Sequence, residues 1–260
     1  MIGDKSLSKR DFSRVIKPLR LFGVNILSKN NSLPIEILGT DYLRPISYNE
    51  KIGSAQVKSC IIFCALNTPG TTIINAQKSR NHTELLLRSL NYPIKVNRIN
   101  NIDRISISGL SQFKSFKYVI PGDISSAAFF IVLTILSNKS EMIIKNVNIN
   151  ESRLGIIKIL KRMGAIIRLK KKKIYKGENT SNILIKSSKK LKGINCPAYL
   201  NSSAIDEFLI IFLVAAKAKG ISTFKNLGEL NKKESPRLDI ALKLLLGYKA
   251  FYFAIFLRLL

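Results

Sequence analysis

Residues 121–128 read Pro-Gly-Asp-Ile-Ser-Ser-Ala-Ala: a fixed-φ proline and a permissive glycine stand before Asp123 and Ser125, residue types that cap helices. Small residues then lead into the apolar run 129–136. The expected product is a helix N-terminus with free N–H groups and nothing bulky in front of them, which suits a phosphate or a carboxylate. Gly53-Ser54-Ala55-Gln56 and Ser203-Ala204-Ile205-Asp206 read as comparable starts. Serine with arginine also recurs, as Ser79-Arg80, Ser152-Arg153 and Ser235-Pro236-Arg237. Hydroxyls, guanidinium forks and helix ends together point to anionic ligands.

Taken singly, each of these residues has a plainer reading. Asp206 fits a helix N-cap, Ser54 and Ser79 fit caps, and Gln56 fits an exposed helical position. Arg10 and Arg237 fit surface cations, and Lys233 with Glu234 fits a solvated charge cluster. His82 reads as a first-turn or surface residue, and Asp123 as the cap that holds its turn.

The elements behind these residues repeat. Segments 53–95, 123–168 and 205–246 each open with a small-residue start and an apolar helix (57–66, 127–136, 208–218). A β-branched strand comes next in each (71–75, 142–146, 221–225), then the serine–arginine pair, then a second amphipathic helix (84–90, 154–163, 238–246). Residues before 53 fit the second half of another unit, with Arg10 heading a helix that 18–22 closes and strands at 24–27 and 35–38. The unit is helix–strand–helix–strand–strand, roughly 70 to 80 residues long.

With 260 residues the chain is long enough for one large or two ordinary domains. Cys60, Cys64 and Cys196 are an odd and sparse set, which suits a reducing cytoplasm; Cys60 and Cys64, four apart, read as core residues. Without a CxxC, and with His82 the sole histidine, a zinc site is not expected, and no metal or cofactor is. The N-terminus lacks the apolar stretch of a signal peptide. The net charge of +27 would draw polyanions at low salt, but the lysines are scattered. The densest run, 168–173, is read as joining a strand to a polar turn without interleaved aromatics, so no specific nucleic-acid partner is expected.

Four blocks, in order, resemble the 3-phosphoshikimate 1-carboxyvinyltransferase (EPSP synthase) family: Gly3–Arg10 with Pro18-Leu19-Arg20; Ser54–Ser59; Ser79–Glu84; and Gly122–Ala128. A fifth is Ile205–Phe208 with Lys233–Arg237, and the resemblance runs from about residue 3 to 247. It implies an inside-out α/β barrel of two domains built from repeated βαβαββ units, here incomplete: 1–118 a partial first domain, 119–247 a partial second, with the crossing near 117–122. Helix N-termini from both domains would then face one cleft. The implied reaction transfers the enolpyruvyl group of phosphoenolpyruvate (PEP) to the 5-hydroxyl of 3-phosphoshikimate and releases phosphate. By the same resemblance Asp206 is the proton acceptor at the substrate hydroxyl and Glu234 the donor to the PEP methylene. Ser54, Ala55, Gln56, Ser79, Arg80, Asp206 and Lys233 meet 3-phosphoshikimate; Arg10, Gln56 and Arg237 meet PEP. The setting implied is a cytoplasmic monomer without a membrane anchor. Two alternatives remain in view. The UDP-N-acetylglucosamine enolpyruvyl transferase of the same fold is opposed by the Ser-Arg-Asn-His-Thr-Glu and Lys-Glu-Ser-Pro-Arg blocks. A basic polyanion-binding protein would be revealed by a salt-sensitive DNA or RNA shift.

The chain also departs from the family pattern. The residues after Arg10 resemble the sequel of the family's second octapeptide, so the chain is read as starting well inside the family's length. The opening octapeptide, the Asn-Ser-Gly-Thr turn near PEP, and the late Asp-His-Arg segment with its subsequent lysine have no counterpart here. Pro236 stands where an acidic residue is usual, a substitution a helix start tolerates. One lost electrostatic donor can cost roughly 10²–10³ in rate, so little turnover is expected of this polypeptide alone. Residues 248–260 stop resembling the family; they read as an aberrant apolar tail, too short and too charged for a membrane span.

Overall fold

Residues 71–77 alternate outward Thr71, Ile73 and Asn75 with buried Thr72, Ile74 and Ala76, a period of two that only a strand with one covered face satisfies. Residues 55–66 carry apolar side chains almost all round, so that stretch becomes a helix packed into the core. The computed structural model describes residues 1–100, 102–232 and 235–247, and its chain divides into two units between Lys117 and Tyr118.

The first unit runs α1 (Ser13–Leu21), β1 (Asn25–Ser28), β2 (Ile35–Leu38), β3 (Ser47–Glu50), α2 (Ala55–Leu66), β4 (Thr71–Gln77), α3 (His82–Ser89), β5 (Ile94–Ile99) and β6 (Ile102–Ser108). β1 and β2 form a hairpin of their own, and the larger sheet has the order β3-β4-β6-β5. β3 is parallel to β4, the other pairs antiparallel. Ile61, Ile62 and Ala65 of α2 pack on Ile74, Ile105 and Ile107 of this sheet.

The second unit repeats the plan: α4 (Ile124–Leu136), β7 (Glu141–Asn148), α5 (Gly155–Arg162), β8 (Ile166–Tyr175) and β9 (Glu178–Lys186), with sheet order β7-β9-β8. α6 (Asn201–Ala204), α7 (Phe208–Lys217) and α8 (Arg237–Gly247) complete it. Its core joins α4, α5 and α7 through Ile131, Ile159 and Phe212, with Phe224 edge-on to Phe208 and Phe212. A parallel pairing brackets the apolar helix three times: β3 with β4 around α2, Gly122 with Val147 around α4, and residues 192 and 195 with 219 and 223 around α6 and α7. The strand–helix–strand start is thus the recurring module.

Several expectations change. Residues 221–225 are not a strand: single bridges at Lys219 and Thr223 hold the segment, and no further strand among the described residues lies beside it. The basic run 168–173 lies inside β8 and does not lead out of it. β9 satisfies the backbone while the four lysines face outward, and a bulge between Lys170 and Lys173 puts Lys171 at φ 52°. Ser203-Ala204 ends α6 instead of opening a helix, and the Ser203 hydroxyl donates back to the Leu200 carbonyl at 2.9 Å. Arg10 does not head α1. It closes a short 3₁₀ turn (Leu7–Lys9), and Asp11 supports the helix start by accepting from the Ser13 N–H at 2.8 Å and its hydroxyl at 2.7 Å. The Ser13 hydrogen bonds hold the Asp11 carboxyl below its usual range. Residues 18–22 do close α1, with Pro18 inside its last turn and Phe22 at the C-cap. Cys60 and Cys64 are only half-buried, with Cys64 packed against the core of the first unit; Cys196 is buried, and burial pushes its thiol up to about 11. The 248–260 tail lies outside the described residues.

Candidate functional site

In the first unit the candidate residues cluster at two helix beginnings. Glu50, at the end of β3 and 4% exposed, accepts from the N–H groups of Ile52 (3.0 Å) and Gly53 (2.8 Å), which bends the chain into a tight turn. Gly53 sits at φ 74°, where a side chain would strain the backbone, and it lies against Lys78 at the end of β4. That turn delivers Ser54 to the N-cap of α2, its hydroxyl accepting from the Val57 N–H at 3.3 Å. Ala55 is half-buried and Gln56 exposed on the first turn. Ser79 and Arg80 come after β4 in the loop before α3 and are both half-buried. The Ser79 hydroxyl is turned inward, where it has no hydrogen-bond partner among the described residues; rotation about its Cα–Cβ bond is the local motion that would bring it outward.

Beneath these residues lies a feature that the sequence reading missed. Lys58, fully buried on α2, has its ammonium 2.7 Å from a carboxylate oxygen of Glu84 on α3, itself 3% exposed. The pair is close but not aligned as a straight hydrogen bond, and Glu84 Oε2 has no hydrogen-bond partner among the described residues. The Ser59 and Thr83 hydroxyls add a 2.8 Å bond between the same two helices. The start of α2, which carries Ser54–Gln56, and the start of α3, just beyond Ser79–Arg80, are therefore tied together. A signal was present: Lys58 stands at core spacing with Ile61, Ile62 and Ala65, and a lysine there needs a buried counter-charge. Arg10 is half-buried and lies just before α1, not on α2 or α3.

In the second unit Asp206 and Arg237 meet: Arg237 Nη1 donates to Asp206 Oδ1 at 3.2 Å, with about a quarter of each side chain exposed. Asp206 is not the cap of α7. It lies in the turn after α6, and Glu207 occupies the cap position. Arg237 is the first residue of α8, directly after Pro236, whose carbonyl accepts from the Ile240 N–H at 3.1 Å. Asn231 completes that start by accepting from the Leu238 N–H at 3.0 Å. Lys233 and Glu234 lie outside the described residues.

Asp123 caps α4 as expected, its carboxylate accepting from the Ser126 N–H at 2.9 Å. It also accepts from Arg153 Nη2 at 2.8 Å. Burial pushes the Asp123 carboxyl up, but the Ser126 N–H and the Arg153 charge outweigh it and hold it below its usual value. This helix start is thus filled by the protein's own carboxylate and does not stand open to an anion. Among the described residues no three His, Cys, Asp or Glu side chains gather as a metal site would need, and no helix is long and apolar enough to cross a membrane.

A family model described as EPSP synthase (3-phosphoshikimate 1-carboxyvinyltransferase) matches residues 1–246. The 3-phosphoshikimate 1-carboxyvinyltransferase of Ruthia magnifica subsp. Calyptogena magnifica is 42% identical over 241 residues, 92% of this chain and 54% of the relative. That of Hydrogenovibrio crunogenus is 38% identical over 243 residues, again 92% and 54%. An EPSP synthase structure from Acinetobacter baumannii superposes with a TM-score of 0.81 at 38% identity, covering 94% of this chain and 54% of that one. The enolpyruvyl transferase NikO from Streptomyces tendae superposes at 0.61 with 14% identity over 83% of this chain and 51% of its own, a likeness of fold alone. The chain spans about half the length of the curated relatives it matches.

Proposed function

Since this chain belongs to the EPSP synthase family and has its inside-out α/β fold, we propose that it carries residues that bind 3-phosphoshikimate and PEP and that join them with release of phosphate. The 5-hydroxyl oxygen attacks C2 of PEP while Asp206 takes the hydroxyl proton and C3 gains a proton, for which Glu234 is the assigned donor. The tetrahedral adduct then loses the proton from C3 and its C2–O bond to phosphate, leaving the enolpyruvyl ether. Both substrates are anions, so cations and helix starts must hold them. Ser54, Ala55, Gln56, Ser79, Arg80 and Lys233 are assigned to 3-phosphoshikimate; Arg10, Gln56 and Arg237 are assigned to PEP.

The observation that carries this reading is the Asp206–Arg237 contact. Two residues that lie 31 apart in sequence, one assigned to proton transfer and one to PEP by the family resemblance, meet in the folded chain at 3.2 Å. The relatives' names also favour the shikimate substrate over the UDP-N-acetylglucosamine alternative. We place the two partial domains at 1–118 and 119–247, and the protein in a reducing cytoplasm as a monomer. The free Cys60, Cys64 and Cys196 support that compartment. Calorimetry tests the assignment. Wild type should bind 3-phosphoshikimate, and Gln56→Ala and Ser79→Ala should each weaken it by about tenfold, the worth of one hydrogen bond to a charged group. Equal heats and affinities for all three proteins would remove these residues from the substrate site.

A further inference from the structure

Glu207 is a carboxylate only 2% exposed, and nothing in the roles above uses it. Its backbone carbonyl begins α7, accepting from Ile210 and Ile211 at 3.1 and 3.0 Å. Its side chain points elsewhere, to the second residue of α4, where it accepts from the Ser125 hydroxyl. That hydroxyl accepts in turn from Arg153 Nη2, the same guanidinium nitrogen that donates to Asp123. Arg153 is itself largely buried, its side chain 15% exposed.

A buried carboxylate is costly without donors and a nearby cation, and here both come from a part of the chain remote in sequence. The consequence falls on the neighbouring residue. Asp206 and Glu207 share one turn between α6 and α7, so clamping Glu207 to α4 fixes the direction in which Asp206 leaves the backbone, toward Arg237. We infer that Arg153, Ser125 and Glu207 form a positioning relay that orients Asp206 for its reaction, a role that rests on the substrate assignment made above for Asp206. None of the three touches substrate in this scheme; each acts through the turn.

Ser125→Thr and Ser125→Val test the relay, because they add similar bulk and differ in the hydroxyl. The readouts are the ¹³C carboxyl resonance of Asp206, identified by its loss in Asp206→Asn, and the affinity for 3-phosphoshikimate. Ser125→Val should move that resonance and weaken binding by about tenfold or more, whereas Ser125→Thr should leave both near wild type. A Val variant with an unmoved Asp206 resonance, or a Thr variant that moves it as far, overturns the relay. If Ser125→Val does not fold, Arg153→Lys must shift the same resonance, since an ammonium keeps the charge but not the fork. An unmoved resonance there refutes the inference equally. Failure of every variant, wild type included, to bind 3-phosphoshikimate would instead sink the substrate assignment, with the Asp206 resonance still deciding the relay.

Discussion

Replacing Lys58 by methionine removes one member of a buried ion pair and keeps the volume of its stem. Lys58 has no exposure and Glu84 has 3%, so the substitution strands a carboxylate in the core of the first unit. Breaking such a pair costs about 3–5 kcal/mol. At about 1.4 kcal/mol per tenfold, that raises the opening equilibrium by roughly two to three and a half orders of magnitude. Amide hydrogen exchange at Ile74 and Ile105, buried in β4 and β6, reads this unit without interference from the other. Exchange there should accelerate by that factor in Lys58→Met and comparably in Glu84→Leu. The double variant should return to within about tenfold of wild type, because it leaves no uncompensated charge. Single variants that accelerate exchange by less than tenfold, or a double variant as unstable as either single one, would refute the argument that this pair ties α2 to α3.

Gly155→Ala should destabilise the second unit by about 1–3 kcal/mol, the usual cost of overpacking. The added Cβ would stand 2.6 Å from the Ser203 carbonyl carbon and 2.7 Å from the Ala204 Cβ, so α6 must shift. Thermal melting checks the cost, and an unchanged midpoint would show that α6 yields freely. For Asp123, whose carboxyl is lowered in the folded state, the stabilisation is present above the unfolded value of about 3.9 and is lost as pH falls through the folded value. The melting-temperature gap between wild type and Asp123→Asn should therefore be constant from about pH 7 to 5 and close below about pH 4. A gap that survives full protonation would assign the effect to packing instead of charge.

Much of the fold was legible because the signals are local. Ser54 and Asp123 announce their helices by side-chain chemistry that acts within three residues, and both cap as expected. The alternation at 71–77 and the apolar runs of α2, α4 and α7 arise from backbone periodicity alone. The misreadings lie where distant chain decides. Residues 221–225 have strand composition but only isolated bridges, and the lysines of β8 read as the way from a strand into a turn, whereas β9 pairs with Lys170 and Lys173 and carries the strand on through them. Asp206 has the composition of a cap, yet α6 displaces it into the preceding turn and Glu207 takes the cap position.

The amino-acid order by itself determined the family, the repeated α/β module and the residue types able to meet phosphorylated anions, since periodicity, capping and ordered blocks are properties of neighbouring residues. Tertiary structure decided which charges neutralise each other. Lys58 finds Glu84, Arg153 finds Asp123 and Ser125, and Arg237 finds Asp206 across gaps of 26 to 31 residues. Such pairings depend on where helices and turns come to rest against one another, and burial, which sets their strength, exists only once the chain has folded.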